Sequence, residues 1–149
     1  MNLTKGLSKS ETEKRYTKIN SEKIVRLLCL LAFPGRTYYS IVMDTAVQTE
    51  LSKLKEIIIN TVPVEQIYLF GSYAGGTPHK DSDLDLYVVL NDNIQMRLID
   101  AVLKIRLAIG RIKTMPVDIL ANTFSRYLER SEGPTLERTI AREGIKIYG

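Results

Sequence analysis

The chain has 149 residues, of which 44% are hydrophobic and 26% charged, the size and balance of one ordinary globular domain. That excludes a disordered polyelectrolyte, a collagen-like repeat and, with one cysteine, a disulfide scaffold; no apolar run reaches the ~18 residues of a membrane span. The net charge of +4 points first to nucleic acid, but residues 1–42 hold 8 Lys+Arg against 3 Asp+Glu and residues 43–149 hold 13 against 14, so the body of the chain lacks the basic excess that nucleic acid binding needs.

Residues 1–20 are polar and rich in Lys, Ser, Thr and Glu, and read as a disordered lead. Ser21 is placed to cap a helix over 22–33, which Pro34-Gly35 ends. Cys29 lies in its apolar run as a small hydrophobe, which fits a reducing, cytoplasmic setting. Lys23 to Phe33 fails as a signal peptide, because Arg26 interrupts it and Pro34-Gly35-Arg36 stands where a small-residue cleavage site belongs. Residues 1–42 therefore form a basic N-terminal extension, partly disordered, and residues 43–149 the functional domain.

From Met43 a helical pattern runs through Val47, Leu51, Leu54, Ile57 and Ile58 until Val62-Pro63. Gln66 to Phe70 predicts a strand, followed by the glycine-rich connection Gly71 to Pro78. Asp83 to Leu90 predicts a second strand with Leu84, Leu86, Val88 and Leu90 on one face and Asp83, Asp85, Tyr87 and Val89 on the other. A helix over about 94–109 carries Ile94, Leu98, Ala101, Ile105 and Ala108 along one stripe. A third strand is expected from Lys113 to Leu120, then helices over about 122–131 and 134–142, and a closing edge strand at 145–148.

Asp83 and Asp85 stand at i and i+2 on the expected strand, so both carboxylates leave one face about 7 Å apart at Cα. Unpaired, they repel; a divalent cation removes that cost, and oxygen-only ligands select a hard ion such as Mg²⁺ or Mn²⁺. Asp118 interrupts an otherwise apolar strand and supplies a third carboxylate if the two strands are neighbours. Three carboxylates can hold two metals about 3.5–4 Å apart, a geometry suited to in-line displacement at phosphorus. A strand ending in Gly71-Ser72 and running into a helix offers backbone N–H groups and a hydroxyl to a phosphate. Other motifs fail on their own residues. An EF-hand loop beginning at Asp81 would need glycine where Leu86 stands and glutamate where Asp92 stands. A P-loop spaced on Gly71 and Gly76 would need Lys-Ser/Thr where Thr77-Pro78 stands. His79 and Lys80 read as solvated loop residues.

Gly71-Ser72, ten residues, Asp83-Leu84-Asp85 and a later strand-borne Asp118 together resemble the signature of the polymerase-beta-type nucleotidyltransferase superfamily, over roughly residues 44–149. The small single-domain minimal nucleotidyltransferases, often paired with a helical HEPN protein, are the most similar, and the run from Glu137 to Tyr148 is similar to their usual ending. The resemblance implies an α+β fold, a small mixed β-sheet backed by helices. It implies that Asp83, Asp85 and Asp118 hold two Mg²⁺ ions, with Asp118 also activating the acceptor hydroxyl, and that Gly71 and Ser72 hold the triphosphate of ATP. The implied reaction moves a nucleoside monophosphate, AMP from ATP, to a tyrosine of a HEPN toxin, as the antitoxin of a toxin–antitoxin pair. The alternatives are an aminoglycoside-type small-molecule transferase and a non-catalytic toxin-binding module. One departure stands out: many relatives carry arginine where this chain has Gly75, which removes a cation near the phosphates unless Lys80 replaces it.

Overall fold

The computed structural model describes residues 45–149; the basic extension, the helix expected over 22–33 and Cys29 lie outside the described residues. Helix α1 (Thr45–Thr61) buries Val47, Leu51, Leu54 and Ile58, the stripe that a 3.6-residue period brings to one side. Glu50 is buried on that side too, where its Oε1 accepts the Thr114 N–H at 2.6 Å and so ties α1 to the loop leading into the third strand. Strand β1 (Val64–Phe70) follows, then a single helical turn α2 (Gly71–Gly75), strand β2 (Leu84–Leu90), helix α3 (Leu98–Ile109), strand β3 (Val117–Thr123), helices α4 (Phe124–Glu132) and α5 (Leu136–Glu143), and strand β4 (Ile145–Tyr148).

The four strands form one mixed sheet in the order β3-β2-β1-β4. β1 pairs antiparallel with β2 and with β4, while β2 and β3 run parallel, with α3 as the crossover that a parallel pair requires. One face, built from Ile67, Leu69, Leu84, Leu86, Val88, Leu90 and Ile119, packs on α1 and α3 through Leu54, Ile58, Ala101, Ile105 and Ile109. The other carries Tyr68, Tyr87 and Val89, covered by Tyr127 of α4 and Ile140 of α5. Burial on both faces explains why β2 is apolar almost throughout, Leu-Asp-Leu-Tyr-Val-Val-Leu, instead of alternating.

Several boundaries differ from the sequence expectation, among them β1, which opens at Val64 rather than Gln66, and β3, which opens at Val117 rather than Lys113. Asp83 precedes β2 rather than opening it, because pairing begins at Leu84, whose N–H bonds to Pro116 O at 2.9 Å. Helix α3 starts at Leu98 instead of about 94, since Asn91 holds a turn: its Oδ1 accepts the Asn93 N–H and its carbonyl accepts the Ile94 N–H. β3 runs on to Thr123, because Ala121, Asn122 and Thr123 each find a partner on β2. Helix α4 then begins against Asp92, which accepts both the backbone N–H and the hydroxyl of Ser125, at 2.9 and 2.7 Å. That oxygen arrives from 33 residues earlier in the chain. Among the described residues no helix is long and apolar enough to cross a membrane.

The second face is closed by a polar contact. Tyr87 donates its hydroxyl to Glu137 Oε1 at 2.9 Å, and Arg130 Nε donates to the same oxygen at 2.7 Å. Burial alone would raise the Glu137 carboxyl, but the hydrogen bonds from Arg130 and Tyr87 outweigh it and bring it down to about 2. A carboxyl lowered by folding adds stability above its unfolded value near 4.5, and that stability is lost as pH falls toward about 2. Glu137→Gln is therefore expected to destabilise the fold by about 1–3 kcal/mol at pH 7. The difference from the parent chain should shrink below pH 4.5, as read from urea midpoints at pH 7 and pH 3.

Candidate active site

Asp85 is the only charged residue of β2. Its neighbours in the sheet fix what surrounds it: Phe70 of β1 on one side and Asp118 of β3 on the other. Register partners in a parallel pair project to the same face, so Asp85 and Asp118 both lie on the face that carries Tyr87. Asp83 lies just before Leu84, at the end of a tight turn that the buried Ser82 holds: its Oγ accepts the His79 N–H at 2.9 Å, and its own N–H bonds to His79 O at 3.0 Å. His79 and Lys80 are exposed in that turn, as expected.

Gly71 completes the arrangement. It follows the Phe70 that pairs with Asp85, and it has φ +70°, a conformation that L side chains rarely adopt. A Cβ at this position would overlap Asp85 Oδ2 and lie 2.9 Å from its Cγ. Only glycine lets the chain turn into α2 beside this carboxylate. Ser72 is half-buried in the first turn of α2, and no side-chain oxygen caps that turn. Gly76, also left-handed at φ 71°, closes it, donating its N–H to Ser72 O.

The three carboxylates differ in their partners. Asp85 is pushed above the usual carboxylate range, first by burial and then by the charges of Asp83 and Asp118. Asp83 is exposed and forms no ion pair with the described residues. Asp118 is engaged: its Oδ1 accepts from Arg106 Nη2 at 2.8 Å and from the Ile119 N–H at 3.0 Å. As they stand, no three His, Cys, Asp or Glu side chains among the described residues converge closely enough to hold one metal ion. Sequence reasoning missed Arg106 and Ser82. A buried hydroxyl just before Asp83 is a signal for the turn, but nothing local links Arg106 to a carboxylate 12 residues away. The donor chemistry fits a hard divalent cation, since Asp83 and Asp85 are oxygen donors whose mutual repulsion such an ion relieves.

The mixed sheet thus sets a glycine-serine turn against Asp85, the second member of an Asp-x-Asp pair at the start of β2. The family described as Polymerase beta, Nucleotidyltransferase matches residues 52–149, and the chain belongs to it. A 48-residue stretch is 38% identical to the protein adenylyltransferase MntA of Shewanella oneidensis, covering 32% of this chain. The match spans about a third of that relative's length, 34%. Two solved structures are also similar. One, described as a nucleotidyltransferase from Sulfolobus solfataricus, is 16% identical with a TM-score of 0.47, over 76% of this chain and 90% of its own. The other, a toxin–antitoxin solved with AMP-PNP, is 24% identical with a TM-score of 0.43, over 68% of this chain and 73% of its own.

Two substitutions test the geometry without nucleotide. Gly71→Ala meets a left-handed backbone penalty of about 1–2 kcal/mol and forces the Asp85 carboxylate to move, so its denaturation midpoint should fall. Asp85→Asn removes a charge that folding disfavours. It should match or exceed the parent's metal-free stability at pH 7, and the excess should fade as pH falls toward the ordinary value of 3.8, because the parent's own carboxyl, raised by folding, takes up its proton before that value is reached. A clear loss of stability in Asp85→Asn at pH 7 would contradict the repulsion described above.

Proposed function

We propose that this chain is a Mg²⁺-dependent adenylyltransferase that moves AMP from ATP to a protein hydroxyl, a tyrosine of a HEPN-type toxin for which it acts as antitoxin. The observation that carries this reading is the contact between Gly71 and Asp85, which puts a backbone turn able to approach phosphate oxygens beside the carboxylate most suited to a metal. The stretch similar to a protein named as a protein adenylyltransferase supports a protein acceptor.

In this reading Asp83 and Asp85 hold Mg²⁺, and the bound ion supplies charge neutralisation for the triphosphate and the leaving pyrophosphate. Gly71 and Ser72 bind and orient the phosphates through backbone N–H groups and the Ser72 hydroxyl. The acceptor oxygen forms a bond to the α-phosphorus, the bond from that phosphorus to the oxygen bridging toward the β-phosphate breaks, and pyrophosphate leaves. Asp118 takes the acceptor's proton. Gly71 and Asp83 are exposed, and so is Leu120, two residues along β3 from Asp118. A docked protein surface covers this face, excluding water and orienting its hydroxyl for attack.

Incubation with a candidate HEPN partner, labelled ATP and Mg²⁺ should make the partner heavier by one or more AMP units in mass spectrometry. Asp83→Ala and Asp85→Ala should each lower that transfer by roughly 10²-fold or more, as loss of a preorganised charge-stabilising group does. Undiminished transfer by Asp83→Ala would overturn the reading, and rapid adenylylation of a free aminoglycoside by the isolated chain would replace it with the small-molecule alternative.

A further inference from the structure

We propose that Arg106 is a positioning residue that holds Asp118 apart from Asp83 and Asp85 while no divalent cation is bound and gives it up when one enters; this rests on the reading of Asp83 and Asp85 as metal ligands. The backbone already places Asp118 where a third ligand belongs, in register with Asp85 on the neighbouring parallel strand. Its carboxylate does not join the other two. One oxygen, Oδ1, takes both Arg106 Nη2 at 2.8 Å and the Ile119 N–H at 3.0 Å, so its orientation is set by α3 and by its own strand.

The topology makes this contact available. Among the described residues β3 is an edge strand, with β2 on one side only. Arg106 belongs to α3, which packs on the opposite face from the carboxylates, and it reaches Asp118 from that helix. Among the described residues Arg106 is the one cation in an ion pair with any of the three aspartates. It therefore offsets part of the repulsion that a metal would otherwise relieve.

The pair is also weak enough to exchange. Its two side chains are 52% and 48% exposed, and an ion pair in that setting is worth only a few-fold in an equilibrium constant. A divalent ion held by Asp83 and Asp85 presents twice the charge to the same carboxylate, so exchange of guanidinium for metal at Asp118 needs a side-chain rotation and no change of fold. Arg106 then sets a threshold: the third carboxylate is recruited by the cation rather than standing preassembled.

The test is Mn²⁺ binding to the full-length chain without nucleotide, followed by the electron paramagnetic resonance of free Mn²⁺. Arg106→Gln should bind about two- to five-fold more tightly than the parent chain, and Arg106→Met, which keeps the aliphatic stem, should do the same. Arg106→Lys keeps the charge and should stay near the parent. In an Asp118→Asn background Arg106→Gln should change nothing, because the residue acts through Asp118. Unchanged or weaker binding by Arg106→Gln and Arg106→Met, with a native circular dichroism spectrum, would mean that Arg106 is a fixed clamp and would overturn the proposal. A gain that persists in Asp118→Asn would overturn it in favour of a through-space charge effect on Asp83 and Asp85. If the parent chain's Mn²⁺ binding is absent or survives Asp83→Asn, the metal reading fails first and this inference falls with it.

Discussion

A carboxylate held near the start of a buried, apolar strand is the constraint around which the rest of this structure is arranged. Asp85 interrupts β2, whose other six residues are all buried. On one side its pairing with Phe70 brings the end of β1 so close that the next residue has to be glycine. On the other, parallel pairing with β3 delivers a second carboxylate, Asp118, at the same level of the sheet. The sheet thus concentrates negative charge at one place and relieves it only in part, through Arg106. An arrangement that raises its own electrostatic energy is expected where a ligand will settle the charge.

The remainder of the fold is divided so as to leave that place accessible. The first face of the sheet is sealed by α1 and α3 with aliphatic side chains alone, apart from the buried Glu50 at the rim. The second face is sealed by a smaller aromatic group, where Tyr68 and Tyr127 stack with ring centroids 5.6 Å apart and Tyr87 lies 5.8 Å from Tyr127. The closing segment earns its place there through Glu137, which takes hydrogen bonds from Tyr87 and from Arg130. Tyr87 is two residues from Asp85 on the same strand and face, so the polar contact that fixes α5 also stiffens the strand that carries the site. Removing Tyr87 or Arg130 would leave the buried Glu137 carboxylate short of a partner, which destabilises the face it closes.

Much of this was legible in the sequence because it is written in local periodicity. The i, i+3, i+4 stripe from Val47 to Ile58 has one solution, a helix packed on one side, and the short run of branched apolar residues from Leu84 to Leu90 reads as a buried strand. The expectation that Gly71-Ser72 and Asp83-Leu84-Asp85 belong together rests on residue type, a turn suited to phosphate and carboxylates suited to a hard cation, and the structure brings Gly71 against Asp85. The closing run from Glu137 to Tyr148 stood out only by its resemblance to a family ending, and the reason for its glutamate came from the structure. Two of the boundaries that moved did so where a residue distant in sequence intervened, Asp92 at the start of α4 and β2 as the partner that carries β3 on to Thr123, whereas the start of α3 moved for the local turn at Asn91.

What the sequence by itself determined, then, is the set of elements and the identity of the acidic and glycine residues, since backbone periodicity and side-chain chemistry are properties of short segments. Tertiary structure alone decided which of those residues meet. The antiparallel register that sets Phe70 opposite Asp85, the parallel register that sets Asp118 beside it, and the reach of Arg106 from α3 to the edge strand all join residues separated by 12 or more positions. Such contacts depend on strand order and on the path of the crossover helix, and a one-residue slip in either register would send the same carboxylates to the opposite face.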